Sequence, residues 1–219
     1  GLAWNSFSLA FLAAIIAVAL AIILSYAKRS QPIKPVRTAI AMAGFGYALP
    51  GTIIAIGVLI PLAWIDHRLI ALFENLGWAN PGLLLSGSLV ALIFAYTVRF
   101  LAVALGSVQS GLEKIKPSLD HAARSMGHSP LAILSKIHVP LMRSSILTAV
   151  LIVFVDVLKE LPATLILRPF NYNTMAVRVY ELASDERLTD AAPAAIMIVL
   201  VGLIPVLLLH ASIAHRRPH

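Results

Sequence analysis

Cysteine is absent from the 219 residues, which excludes disulfide scaffolds, thiolate zinc sites and thiol catalysis. Charge is scarce: Asp, Glu, Lys and Arg make up 12% of the chain, about half the share of an ordinary soluble domain. Neither a G-x-x-x-x-G-K phosphate loop nor an H-E-x-x-H pair occurs. ATP hydrolysis and zinc-peptidase chemistry therefore have no motif in this chain. His121, His128 and His138 are spaced by 7 and 10 residues, which does not suit metal ligation on one helix. They read as solvated or partner-contacting, and no metal site is expected. What the chain has in excess is apolar surface: 59% of residues are hydrophobic and the mean hydropathy is +0.89. A soluble globule of this size could not hide so much apolar side chain behind so few charges, and intrinsic disorder is excluded by the same composition.

About 20 apolar residues in a helix cross a bilayer core. Five stretches reach that length: Phe7–Ala27, Ala39–Ile65, Leu83–Gly106, Ser145–Leu167 and Ala191–Ile213. The expected fold is all-α, a polytopic helical membrane protein with about five spans forming a single transmembrane domain over 1–219. The net charge of +7 is distributed unevenly. The connections 28–37 and 107–143 and the tail hold eleven Lys and Arg, among them Lys28, Arg29, Arg124, Arg216 and Arg217. The segments 1–6, 66–82 and 168–190 hold four, Arg68, Arg168, Arg178 and Arg187. The basic side is expected to face the cytoplasm, C-terminus included. The charge is an orientation signal, and no nucleic-acid partner is expected. Five spans then put the N-terminus outside. The start at Gly1, close to the first span, reads as a fragment or one half of a longer permease.

The loop 107–143 is polar yet patterned for structure. Ser118 is placed to cap a helix over Leu119–Met126, and Gly127 suits the left-handed position that ends it. Ser129 is placed to cap a second helix with Pro130 in its first turn, and Pro140 is expected to stop that helix. Ala122 and Ala123 leave one face low enough for close approach by another protein. The pattern His121-Ala122-Ala123-x3-Gly127-x9-Ile137-x-Val139-Pro140 resembles the EAA loop of ABC importer permeases of the binding-protein-dependent, type I family, E-A-A-x3-G-x9-I-x-L-P. Both spacings match, with His121 in place of Glu and Val139 in place of Leu. The resemblance implies that His121, Ala122, Ala123, Gly127, Ile137 and Pro140 form a coupling element docking on a cytoplasmic ABC ATPase dimer. ATP and Mg would sit on that ATPase, and this chain would carry no cofactor. It also implies a second permease half or subunit and a periplasmic substrate-binding protein, in a bacterial inner membrane. An amphipathic connection lying on the lipid surface is the alternative for the loop.

The fourth apolar stretch contains Asp156, Lys159 and Glu160, followed by Pro162 and Thr164. Ionisable groups at membrane depth are costly and face a bundle interior or a watery path. Asp156 and Lys159, three residues apart, share a helix face and partly neutralise each other. Two readings stand: a self-satisfied cluster that locks packing, or groups lining a translocation path. Arg99 either snorkels to the interface or is buried. Pro50 and Gly51 break the second stretch, as a packing kink or as a gate resembling the Pro-Gly element of these permeases. The run Lys159–Asn171 resembles permeases of ferric-iron importers, and thiamine importers have similar segments. In the outer segment Pro169–Ala192, Met175, Val179, Tyr180 and Leu182 recur at helical spacing and predict a short helix. By resemblance, that segment meets the binding protein. The expected function is a non-enzymatic permease subunit for ferric iron, with thiamine or another small solute as one alternative and an ion-coupled secondary transporter as another.

Overall fold

The computed structural model of the chain describes residues 1–214; Arg216 and Arg217, counted above with the basic side, lie outside the described residues. The described chain folds into helices only. Helix α1 (Leu2–Ser30) carries Ala10, Ala13, Ala14, Ala17 and Ala21 on one buried face. Small side chains at this spacing let backbones approach closely, which in a membrane takes the place of a hydrophobic driving force. Against that face pack α4 (Leu89–Glu113), itself lined by Ala91, Ala95 and Ala104, and α8 (Arg143–Leu158). These three helices form the centre of the bundle.

The second apolar stretch is two helices, α2 (Lys34–Ala48) and α3 (Gly51–Asn75), interrupted at Leu49 and Pro50. Pro50 has no N–H to continue α2 and stands as the N-cap of α3. The third stretch is helical only from Leu89, not Leu83. Residues 83–88 form a loop because Asp66 on α3, fully buried, draws their backbone N–H groups to itself. The fourth stretch ends as a helix at Leu158 and resumes as α9 (Pro162–Leu167). The fifth lies in α11 (Leu188–Ala214), reached through α10 (Met175–Ser184). Among the described residues, three helices are individually long and apolar enough to cross a bilayer, or up to four when Pro130–Leu141 and Arg143–Leu158, bent by 77°, count as one. The second apolar run is thus broken at Pro50, as its sequence suggested, and the fourth by the turn before Pro162.

The ends of the bundle sort the connections as the charge count does. Arg29, ending α1, bonds into the 107–143 loop. At the other end Ser6 and Asn5 bond to Met175 and Asn173. The two basic connections therefore share one end, and segments 1–6 and 168–190 share the other.

Candidate functional site

The 107–143 loop is built from α5 (Pro117–Ser125), α6 (Pro130–Ile133), a π-helical turn (Leu134–His138) and α7 (Val139–Leu141). Gly127 has φ +81°, the left-handed conformation expected of it, and makes the elbow between α5 and α6. Ser129 caps α6, its side chain accepting from Ala132 N–H at 3.3 Å. Three expectations are corrected. The first helix starts at Pro117, with Lys116 rather than Ser118 as its N-cap. Pro140 does not stop the second: the π turn before it carries Val139 N–H to Leu134 O and widens the ladder where proline would clash. The chain turns instead at Met142, whose φ of −90° and ψ of 4° leave the helical region.

The third correction concerns which groups face outward. His121 and Ala122 are exposed, but Ala123 is buried against the fold, so the low face is narrower than the sequence suggested. Ile137 is half-buried and Pro140 exposed. His138, expected to be solvated, is fully buried: its Nε2–H donates to Asp120 Oδ1 at 2.6 Å. The other oxygen, Oδ2, accepts from Arg29 Nε at 2.7 Å. Arg29 also donates through Nη1 to Leu112 O and through Nη2 to Ile115 O, at 2.7 and 2.8 Å. Burial alone would raise the Asp120 pKa, but the hydrogen bonds and charges of Arg29 and His138 outweigh it and hold the carboxyl below the ordinary carboxylate range. Met126 and Leu131, 71% and 73% exposed, stand beside the elbow as apolar surface on a polar loop.

A second cluster lies where the helix breaks meet. Arg99 on α4 does not snorkel. Its Nη1 donates at 2.6 Å to Leu49 O, a carbonyl freed by the break before Pro50. Its Nε lies 3.1 Å from Glu160 Oε2, within ion-pair distance although the N–H is not aimed for a hydrogen bond. Glu160 Oε1 accepts from Ala163 N–H, freed by the turn before Pro162, at 3.3 Å. Thr164 bonds to the Glu160 carbonyl and to the hydroxyl of buried Tyr96. Gly51 sits against Glu160, and Pro162 is exposed. Lys159 pairs with Asp156 at 2.9 Å, as the three-residue spacing suggested; the carboxylate is buried, whereas the lysine side chain is 64% exposed. Glu160 is therefore separate from that pair and belongs to Arg99. Proline-broken helices are tolerated at membrane depth only where such partners satisfy the freed backbone.

The outer segment forms the expected short helix, α10, but of the anticipated stripe Met175 and Leu182 are buried, Val179 is half-buried and Tyr180 alone is exposed. Thr174 caps it through Val177 N–H. Among the described residues, no group of three or more His, Cys, Asp or Glu side chains is placed to hold a metal ion. Sequence reasoning missed Asp120 and Asp66, and it read Arg29 only as an orientation charge.

A bundle of apolar helices, with proline breaks bridged by buried charge and a helical elbow in a basic end loop, defines a multi-pass helical membrane protein. The chain belongs to the family described as the binding-protein-dependent transport system inner membrane component, which matches residues 36–218. It is 29% identical, over 181 residues, to the Fe(3+)-transport system permease protein FbpB 2 of Haemophilus influenzae; the match covers 73% of this chain and 36% of that protein. This chain thus spans about a third of the length of that relative. It is 22% identical over 208 residues to PhnV of Salmonella typhimurium, a permease protein assigned by its name to 2-aminoethylphosphonate transport, covering 93% of this chain and 72% of that one. The fold matches that of a solved bacterial ABC transporter involved in import of the acidic polysaccharide alginate. The TM-score is 0.75 at 15% identity, over 99% of this chain and 79% of that one.

Proposed function

We propose that this chain is a permease half of an ATP-driven importer of ferric iron, moving cargo inward by alternating access. The observation that carries this reading is the elbow at Gly127, set in a loop whose exposed Met126 and Leu131 offer apolar surface to a protein partner. In this reading His121, Ala122, Ala123, Gly127, Ile137 and Pro140 form the surface and frame that meet a cytoplasmic ABC ATPase dimer. ATP and Mg bind on that dimer, and the C-terminus lies on the same side. A second permease half completes the path, and a periplasmic binding protein meets the 168–190 segment.

ATP drives the cycle only in so far as it binds one state of the complex more tightly than the other. The path is lined or gated by the helix breaks: Pro50 and Gly51 on one side, Asp156, Lys159, Glu160, Pro162 and Thr164 on the other. Exposure of Lys159 supports this, since an ammonium needs water or a partner group rather than lipid. The name of the Haemophilus influenzae relative supports ferric iron as cargo. A phosphonate is the second reading, because the Salmonella typhimurium relative matches nearly the whole of this chain. Thiamine rests on the Lys159–Asn171 segment alone. Membership of this family favours ATP over an ion gradient as the energy source.

The test is uptake into proteoliposomes holding the full complex with its ATPase and binding protein. Ferric iron, 2-aminoethylphosphonate and thiamine are compared with and without ATP. ATP-dependent iron uptake is expected. Uptake that follows an ion gradient and ignores ATP overturns the importer reading; uptake of the phosphonate alone reassigns the cargo.

A further inference from the structure

We infer that α1 is a transmission rod of the transport cycle and that Asp120 is the positioning residue that clasps it to the coupling loop, an inference that rests on the importer reading above. The loop is covalently continuous with α4 and α8, whereas Arg29 of α1 lies 91 residues before Asp120. Yet all three nitrogens of the Arg29 guanidinium are committed to the loop and its approach: Nε to Asp120, Nη1 to Leu112 O and Nη2 to Ile115 O. The planar guanidinium holds its donors in fixed directions, so this contact fixes orientation as well as distance.

One turn earlier on the same face, Tyr26 packs edge-on against the buried His138 ring, with centroids 5.2 Å apart. Its hydroxyl donates to Pro130 O at 2.8 Å. Asp120 joins the two halves of this arrangement, taking Arg29 on one oxygen and His138 on the other. Two residues of α1 thus hold the end of α4, α5, the start of α6 and the π turn. Hydrogen bonds of this length tolerate only a few tenths of an ångström before they weaken, so a displaced loop carries the end of α1 with it.

The far end of α1 is tied in the same manner. Ser6 Oγ accepts from Met175 N–H at 2.7 Å, Asn5 Nδ2 donates to Asn173 O at 3.2 Å, and Tyr172 donates back to Asn5 O at 3.1 Å. Between Ser6 and Arg29 the helix runs without interruption, about 35 Å at 1.5 Å per residue. No proline interrupts it, in contrast to α3. Motion imposed at the loop thereby reaches the segment that begins α10. Helix α1 lies outside the residues matched by the family, 36–218, so nothing in that match assigns it this role.

The experiment uses the complete complex in proteoliposomes and reads cargo taken up per ATP hydrolysed. Asp120→Asn and Arg29→Gln are expected to keep ATP hydrolysis while lowering that ratio by about fivefold or more, the lower range of known site-to-site couplings. Asp120→Glu is expected to recover part of it. A purely structural role would lower uptake and hydrolysis together, and an unchanged ratio or a parallel fall overturns the inference. A second measurement leaves the clasp intact. The chain has no cysteine, so Trp4→Cys and Ser118→Cys, away from the surface offered to the partner, place two spin labels at the exposed ends of the assembly. Their distance is expected to stay constant between nucleotide-free and ATP-bound states; a change of more than a few ångströms overturns the rod. If the unmodified complex takes up no cargo with ATP, it is the importer reading that fails, and the label distance still tests the rod.

Discussion

Gly51 lies so close to Glu160 that a methyl group on it would overlap the carboxylate oxygen Oε1. The break in the second apolar run and the break in the fourth are thereby packed backbone against carboxylate, with no room for a side chain. The carboxylate is not free to swing aside, because it is held by Ala163 N–H and lies against Arg99. Gly51→Ala is therefore expected to lower stability by about 1–3 kcal/mol, the usual cost of overpacking a well-filled site. A thermal melt in detergent reads this directly. A melting point equal to that of the parent protein would show that the two breaks separate freely.

Arg99 and Glu160 are both largely buried, so removing one charge strands the other. Arg99→Met or Glu160→Gln alone is expected to cost about 3–5 kcal/mol, the range for breaking one partner of a buried pair. The double variant should cost clearly less than the sum, though not zero, since Leu49 O also loses its donor; the glutamine amide oxygen still accepts from Ala163 N–H. A double-mutant cycle on unfolding midpoints separates the two contributions. Strict additivity would mean that the ion pair carries no coupling.

Gly127 differs from Gly51, because nothing lies within 4 Å of the place its Cβ would occupy. Its φ of +81° is the whole constraint. Gly127→Val is expected to strain the elbow by about 1–2 kcal/mol, leave the protein in the membrane and reduce ATP-driven uptake. Gly127→Asn should do much less harm, since asparagine visits the left-handed region. Uptake assays with membrane-level controls test the pair; equal uptake in both variants would show that the elbow angle does not matter.

The Asp120 carboxyl is held below its ordinary range by Arg29 and His138 against the opposing effect of burial. For a depressed carboxylate the sign is fixed. The unfolded chain binds the proton first as pH falls, so the stabilisation is present above about pH 4 and is lost as pH drops through the folded-state value. Asp120→Asn should flatten this acid limb of the stability profile, with the difference from the parent protein shrinking as pH falls towards the folded-state value. Unfolding midpoints measured from pH 3 to 7 check it, and an unchanged acid limb in the variant would place the titrating group elsewhere.

Features that depend on a few neighbouring residues were legible before folding. The elbow at Gly127 and the cap at Ser129 follow from local backbone chemistry, the break at Pro50 from a missing N–H, and the Asp156–Lys159 pair from helical spacing. What escaped depends on distant partners. Arg29 finds Asp120 across 91 residues, and as one of several loop cations it was indistinguishable from an orientation charge. His138 occupies an unspecified position of the coupling-loop pattern, and only the fold shows it buried. Pro140 was read as a stop because a single π turn has no sequence signal of its own. Arg99 could equally have reached for the interface, until Leu49 O and Glu160 were brought beside it by two separate breaks.

Asp66 sets the last expectation. It falls one residue past the second apolar stretch and looks like an ordinary interfacial charge, yet it is fully buried. Oδ1 accepts from Leu84 N–H and Leu85 N–H at 3.1 and 3.0 Å, and Oδ2 accepts from Ser86 N–H and Ser86 Oγ at 2.8 and 2.7 Å. Four donors converge on one carboxylate, and this holds residues 83–88 out of the helix that their apolar character would otherwise extend. In Asp66→Asn one oxygen becomes an NH2 group facing donors, so two or more of these bonds turn repulsive. The expected cost is about 2–4 kcal/mol, given roughly 1.5–3 kcal/mol for each hydrogen bond to a charged group and partial relaxation of the loop. Loss should be local before it is global: the amides of Leu84, Leu85 and Ser86 should exchange faster with solvent deuterium while those of α1 and α4 keep their protection. Unchanged exchange at those three amides would mean that the loop is held by its apolar side chains and that the carboxylate is incidental.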